Sequence, residues 1–280
     1  MKLLYYIWSV QVSDSEHYNL QYDFSQLNVP DGAQVIAEAV SGSRHGEVTK
    51  STTLGADKIF KVRQPAQSAM LITVSRAPQK TYSIKASSDA TIAQGHHHQE
   101  NYGKDPWLNV QPHSDSNHNQ VSYLKFELPE LEGEVNMATL DLVAKSGNAS
   151  AYDRGFLVRI YKLDDQNWNE DSIKAENAPN LHKTVSSAIN VGLENYPVGH
   201  VTCFHDEARV SSKVTEAIKE AYELGKKSVS FMLIREMHWI DENTDLWSAH
   251  IASKESGADR APQLIINTKQ VPLEKGSQNE

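Results

Sequence analysis

Apolar residues recur at every second position along most of this 280-residue chain, the side-chain period of a β-strand. Bulky residues alternate through Leu4, Tyr6, Trp8, Val10 and Val12, which predicts a first strand over 4–12. Asn28–Gly32 is a turn by composition. Further strands are predicted over 34–40, near 47–51, and over 69–74 after Gln64 and Pro65. No sustained 3.6-residue period interrupts them, so residues 1–78 read as a small antiparallel sandwich. Residues 79–88 are polar and nearly featureless, and suit a linker.

The pattern restarts at Asp89. Strands are predicted over 89–93, 107–111, 120–128, 138–144, 156–161, 228–237 and 263–267. In the third of these, Leu124, Phe126 and Leu128 face one way, and Tyr123, Lys125 and Glu127 the other. One helix stands out. Thr215 can cap its start, Glu216 sits in the first turn, and Ala217, Ile218, Ala221 and Leu224 form an apolar stripe that Gly225 ends. The predicted fold is all-β, with two antiparallel β-sandwich domains, the second jelly-roll-like with one short helix. The expected division is 1–78, a linker at 79–88, a sandwich over 89–269, and a tail over 270–280.

Charge narrows the partners. The formal net charge is -9, which repels nucleic acid and anionic membrane surfaces but leaves room for a local basic groove. No apolar run approaches the ~18 residues of a membrane span. The first ten residues resemble the start of a signal peptide, but no cleavage pattern follows, and a strand is the better reading. Cys203 is the single cysteine, so no internal disulfide forms, and it is expected as a small buried hydrophobe.

Candidate chemistry is diffuse. His96, His97 and His98 are adjacent, and neighbouring side chains on a strand point to opposite faces. His113 and His118 lie in a polar loop, and no zinc-ligand spacing accompanies them. Glu127, Asp153, Glu170, Asp171, Glu236 and Asp241 include no pair with a privileged spacing for glycoside hydrolysis. A lyase could be drawn with Tyr152 or His238 as base. The outward faces carry more. With Leu124, Phe126, Val158 and Ile160 inward, Tyr123, Lys125, Arg159 and Tyr161 look out together, a face suited to carboxylated or sulfated sugars. Trp107, Trp239 and Trp247 sit at strand or loop margins as stacking candidates, whereas Trp168 reads as packing.

From Asp89 onward the chain resembles the DNRLRE-domain proteins, carbohydrate-binding module family 96. Ordered pieces carry the resemblance: Asp89–Ile92, Asn101–Gly103, Trp107–Val110, Tyr123–Leu128, Leu140–Leu142, Val158–Tyr161, Asn167–Glu170, Asn177–Pro179, Val214–Ile218, Ile251–Glu255 and Ala261–Ile266. The His-rich loop and the long segment 180–210 depart from it. The resemblance implies a β-sandwich that binds polysaccharide beside a linked glycoside hydrolase or polysaccharide lyase, with alginate among the family's ligands and a bound structural calcium whose ligands the sequence does not assign. Residues 46–49, 64–68 and 70–74 resemble the small sandwich that follows the barrel of agarase- and porphyranase-like hydrolases, implying a secreted enzyme's C-terminal portion and a red-algal galactan.

The combined expectation is a secreted, monomeric, non-catalytic module for an anionic polysaccharide, uronate or sulfated, such as alginate or porphyran and agar. Lys125, Arg154, Arg159 and Arg235 are the expected anion partners. Trp107, Tyr123, Tyr161 and Trp239 are the expected stacking groups, and His97 and His238 the hydrogen-bond donors. Two alternatives remain: catalysis within the sandwich, and a purely structural accessory role.

Overall fold

A computed structural model describes residues 5–12, 18–41, 47–64, 66–111, 119–146, 156–164, 166–181, 197–235 and 248–269. The protein is all-β, and its strands pair antiparallel in two lobes. In the first lobe, β1 (Tyr5–Gln11), β3 (Ala33–Ala39), β4 (Val48–Thr53) and the first half of β6 (Ser68–Lys85) form one sheet, with β6 between β1 and β3. A two-stranded sheet of β2 (Tyr18–Asp23) and β5 (Ile59–Gln64) completes the lobe. Val35, Ala37, Met70, Ile72 and Val74 from the larger sheet meet Phe60 and Val62 from the smaller one in a single core. The period of two explains why: alternate residues of each strand reach the same side.

Strand β1 shows which phase of its alternation wins. Tyr5 and Ile7 pack on the core, while Tyr6, Trp8, Val10 and Val12 are exposed at 58%, 64%, 71% and 84%. The row of bulky residues that marks the strand in the sequence is therefore its solvent face.

The polar segment expected as a linker is strand. Gln79–Lys85 continues β6 and pairs with β16 (Gln263–Lys269), and Ser88–Ala93 is β7. Its polarity reflects half-coverage: Tyr82 and Ile84 pack on the second lobe's core, and Thr81, Ser83 and Lys85 do not. One strand thus runs through both lobes.

In the second lobe the larger sheet runs β6, β16, β10 (Glu134–Ser146), β15 (Ala249–Ala252), β8 (Trp107–Val110), with β13 (Ala208–Lys213) also on β10. The facing sheet runs β12 (Gly199–Cys203), β11 (Phe156–Leu163), β14 (Ser228–Arg235), β9 (Gln120–Glu127), β7. Leu108, Leu140, Leu142 and Leu264 from one sheet meet Leu124, Phe126, Ile160 and Phe231 from the other. The Phe126 and Phe231 rings meet edge to face at 6.2 Å, an arrangement that adds about 0.5–1.5 kcal/mol to area burial. Cys203 is buried in this core, and burial pushes its thiol up to about 12, so it is inert packing.

The helix, α1, spans Thr215–Glu223 and buries Ala217, Ile218 and Ala221. Gly225 follows it with φ +64°, the left-handed position glycine tolerates. Two expectations fail there. Thr215 makes no cap bond; its hydroxyl engages the Ala138 backbone instead, and Leu224 is exposed rather than part of the stripe. Among the described residues no helix is long and apolar enough to cross a membrane.

Two features position the functional surfaces. Segment 166–181 lies over the outer face of the smaller sheet, where Trp168, Ile173, Ala178 and Leu181 bury Tyr123, Tyr161, Met232 and Ile234 in a second apolar layer. On the other side, β4, β3, β6, β16, β10 and β13 pair in sequence, and an isolated bridge between Glu47 and Ser212 joins the last to the first. The six strands make a ring shared by the two lobes, tied also by the Lys213–Glu38 ion pair at 3.3 Å.

Candidate functional site

The ring encloses a groove of about 830 Å³, lined by residues from all six of its strands and by Arg63 of β5. Most of its lining is polar because most of these residues point away from the cores; Val48, Val210 and Ile265 are the apolar ones among the described residues. On β10, Ala138, Leu140, Leu142 and Ala144 enter the sandwich core, which turns Thr139, Asp141 and Lys145 to the outer face. Thr139 and Asn267 lie on the floor, almost fully buried, and Thr81 donates to Asn267 Oδ1 at 2.6 Å. Gln34 is 1% exposed. Its Nε2 donates to Ser51 at 3.3 Å, while its Oε1 is buried without a hydrogen bond.

Charge in the groove runs against the protein's net balance. Among the described residues, Lys50, Arg63 and Arg209 line it, with Asp141 as the one acid. Burial raises the Asp141 carboxyl above its ordinary value, against hydrogen bonds from Ser211 and Thr139 and the nearby Arg209. Arg209 donates to the Asp259 carbonyl at 2.6 Å, and Lys50 to the Lys61 carbonyl at 2.6 Å. Both contacts are to neutral acceptors, and Arg209 in addition acts through its charge on the Asp141 carboxyl. Among the described residues lining the groove none is aromatic.

The same outer face continues beyond the groove. Leu108, Val110 and Ile251 enter the core, so Trp107, Asn109 and His250 share the face of Lys145. The Lys145 ammonium lies 4.3 Å and the Arg260 guanidinium 4.6 Å from the Trp107 ring centroid. His250 stands edge-on to that ring at 6.2 Å. From Asp141 to Lys145 is roughly 13 Å along the strand at ~3.3 Å per residue.

A second constellation lies at the start of β7. Asp89, Glu170 and Glu255 bring carboxylate oxygens within 4.8 Å of one another. Asp89 is on β7, Glu170 in the covering segment, and Glu255 in a 3-10 turn, Lys254–Ser256, which Ser253 caps by accepting from the Glu255 N–H at 3.2 Å. Lys254 lies 2.9 Å from Glu170 and 2.7 Å from Glu255; Lys104 reaches Glu170 at 3.2 Å. Burial pushes the Asp89 carboxyl up to about 7, against the pull of the Lys254 backbone N–H. Burial opposes charge on Lys254 too, yet its bonds to Glu255 and Glu170 hold the ammonium above its ordinary value.

Comparison with known families decides the lineage of the larger lobe. The model of carbohydrate-binding module family 96 matches residues 80–268. The chain belongs to this family. Its family region begins within β6, so Lys50, Arg63 and Gln34 of the groove come from outside the family module, and Arg209 from within it. No curated protein matches the chain. Among solved structures, an isomalto-dextranase of Arthrobacter globiformis T6, complexed with panose, is 11% identical, with a TM-score of 0.26. The match covers 94% of this chain and 34% of that one, so the chain spans about a third of its length. PNGase F, a glycosylasparaginase from Flavobacterium meningosepticum, is 8% identical over 96% of both chains, with a TM-score of 0.22.

The family-96 module does not present the face expected from its alternation. Tyr123 is 0% and Tyr161 4% exposed, and Arg235 is buried, because segment 166–181 covers one side of their sheet and the core the other. Lys125 donates to the Trp168 carbonyl at 2.6 Å and lies 4.6 Å from that ring, fastening the cover rather than facing a ligand. Arg159 is half-buried beside Tyr161 on the same strand. His97 is exposed in the 3-10 turn Gly95–His97, remote in role from the groove, and contacts Glu100 at 2.9 Å. Among the described residues, Trp107 is the expected stacking group that lies on the open face. Trp168 is packing, as expected. Arg154, His238 and Trp239 lie outside the described residues, as do Tyr152, Trp247, His113 and His118.

Sequence reasoning missed Gln34, Lys50, Arg63 and Arg209, since strands β5 and β13 that carry two of them were not foreseen. It also passed over the acid cluster, although each of three family-like pieces, at 89–92, 167–170 and 251–255, carries one of its acids.

Proposed function

We propose that this protein is a non-catalytic module that binds an anionic polysaccharide, uronate or sulfated, of the alginate or porphyran and agar type. The glycan lies in the ring groove and along the outer face towards Trp107, and the module holds a linked polysaccharide-degrading domain at its substrate outside the cell. One observation carries the reading: among the described residues lining the groove there are three cations and one acid, within a chain of net charge -9. Arginine and lysine pair with carboxylate and sulfate, and the Thr, Ser, Asn and Gln lining matches sugar hydroxyls.

Affinity electrophoresis of the whole chain against alginate, porphyran, agarose and a neutral glucan tests the reading. Retardation by a charged glycan, relieved by salt, is expected. Equal retardation by the neutral glucan, or none by any of them, overturns it. Appearance of ultraviolet-absorbing unsaturated products from alginate would overturn the non-catalytic part.

A further inference from the structure

We propose that Asp89, Glu170 and Glu255 hold one calcium ion that pins β7, the covering segment and the turn after β15 to one another. The six carboxylate oxygens of the cluster are unequally partnered. Glu170 Oε1 accepts from the Asp89 N–H at 2.9 Å, and Glu170 Oε2 faces both lysine ammonium groups. Glu255 Oε1 is 2.7 Å from Lys254, and Asp89 Oδ2 accepts from the Lys254 N–H at 2.7 Å. Two remain. Asp89 Oδ1 and Glu255 Oε2 are buried and accept no hydrogen bond. Asp89 itself is 1% exposed.

A buried carboxylate oxygen without a donor is costly, and two in one cluster are what cation ligands look like when the cation is left out. Charge points the same way. Three acids face two ammonium groups, and one of these, on Lys104, is largely exposed and shared with Asp171 at 2.8 Å. The donors are all oxygen, which selects a hard cation. A site built from several protein carboxylates suits calcium, which takes about six to eight oxygen ligands in a flexible shell, rather than magnesium, which keeps most of its waters. Water completes the coordination. The site is independent of the glycan groove, which shares none of its residues.

The test uses the whole chain, stripped with EDTA and desalted, without glycan. Calorimetric titration with calcium chloride is expected to give one ion per chain. Saturating calcium is expected to raise the melting temperature by roughly 5–15 °C over the stripped protein. Glu255→Gln, at the rim of the cluster, is expected to fold and to lose that rise. If titration shows no binding and melting is the same in EDTA and calcium, the cluster is a closed ion-pair network and the proposal fails. If Glu255→Gln keeps the full rise, the ion sits elsewhere. An equal rise with magnesium overturns the assignment to calcium.

Discussion

Glu47 and Ser212 face each other across an antiparallel bridge that joins β4 of the first lobe to β13 of the second. That contact turns an open sheet into a ring and sets Lys50 and Arg209 on adjoining strands that line one groove. Each is expected to contribute a charge-assisted contact to an anionic glycan. Lys50→Ala and Arg209→Ala should each weaken binding by ~1–3 kcal/mol, about 5–150-fold, and Lys125→Ala should leave affinity unchanged while lowering the melting temperature. Affinity electrophoresis beside thermal melts checks this. Parent-like binding by both groove variants would remove the groove from consideration.

The Tyr123 hydroxyl donates to the Pro179 carbonyl at 2.8 Å from beneath the covering segment, with its ring edge-on to Trp168 at 5.9 Å. Tyr123→Ala should cost about 3–5 kcal/mol of stability, and Tyr123→Phe about 0.5–1.5 kcal/mol. Denaturant unfolding measures both. A Tyr123→Ala variant as stable as the parent but deficient in glycan binding would return this residue to the ligand surface.

His250 gives the protein a pH dependence with a definite sign. Burial, with the charge of Lys145 on the neighbouring strand, holds its imidazole below the ordinary value of 6.5. The neutral ring donates from Nδ1 to Asn109 Oδ1 at 2.6 Å and accepts at Nε2 from Ser248 at 2.9 Å. The unfolded chain therefore takes up a proton more readily than the folded one. Stability from this group is complete above pH 6.5 and is lost as pH falls below that value through the depressed folded one. Melting curves between about pH 5 and 8 should show the loss, and His250→Gln should flatten it. An unchanged profile in the variant would assign the dependence to another group.

Much of the architecture was legible in the chain. The period of two located β3, β7, β9 and β14, and the single 3.6-period stretch located α1 with its terminal Gly225. The missed strands β2, β5, β12, β13 and β15 are short or mostly polar on one side. The polar run at 79–85 was misread for the same reason: a strand covered on one face only is half hydrophilic. The face of Tyr123, Lys125 and Tyr161 failed differently. Alternation says which residues share a side, and nothing in it says that residues 166–181 return to cover that side.

What the sequence determined by itself was local: the strand period, the helix and its stop, the family to which residues 80–268 belong, and a net negative charge that makes any cluster of cations worth explaining. The sites were decided by tertiary structure alone. Lys50 and Arg209 share a groove because β6 threads both lobes and Glu47 meets Ser212, and Asp89, Glu170 and Glu255 converge because three distant turns pack together. Both are long-range contacts set by strand pairing and packing, and side-chain periodicity carries no record of which strands will become neighbours.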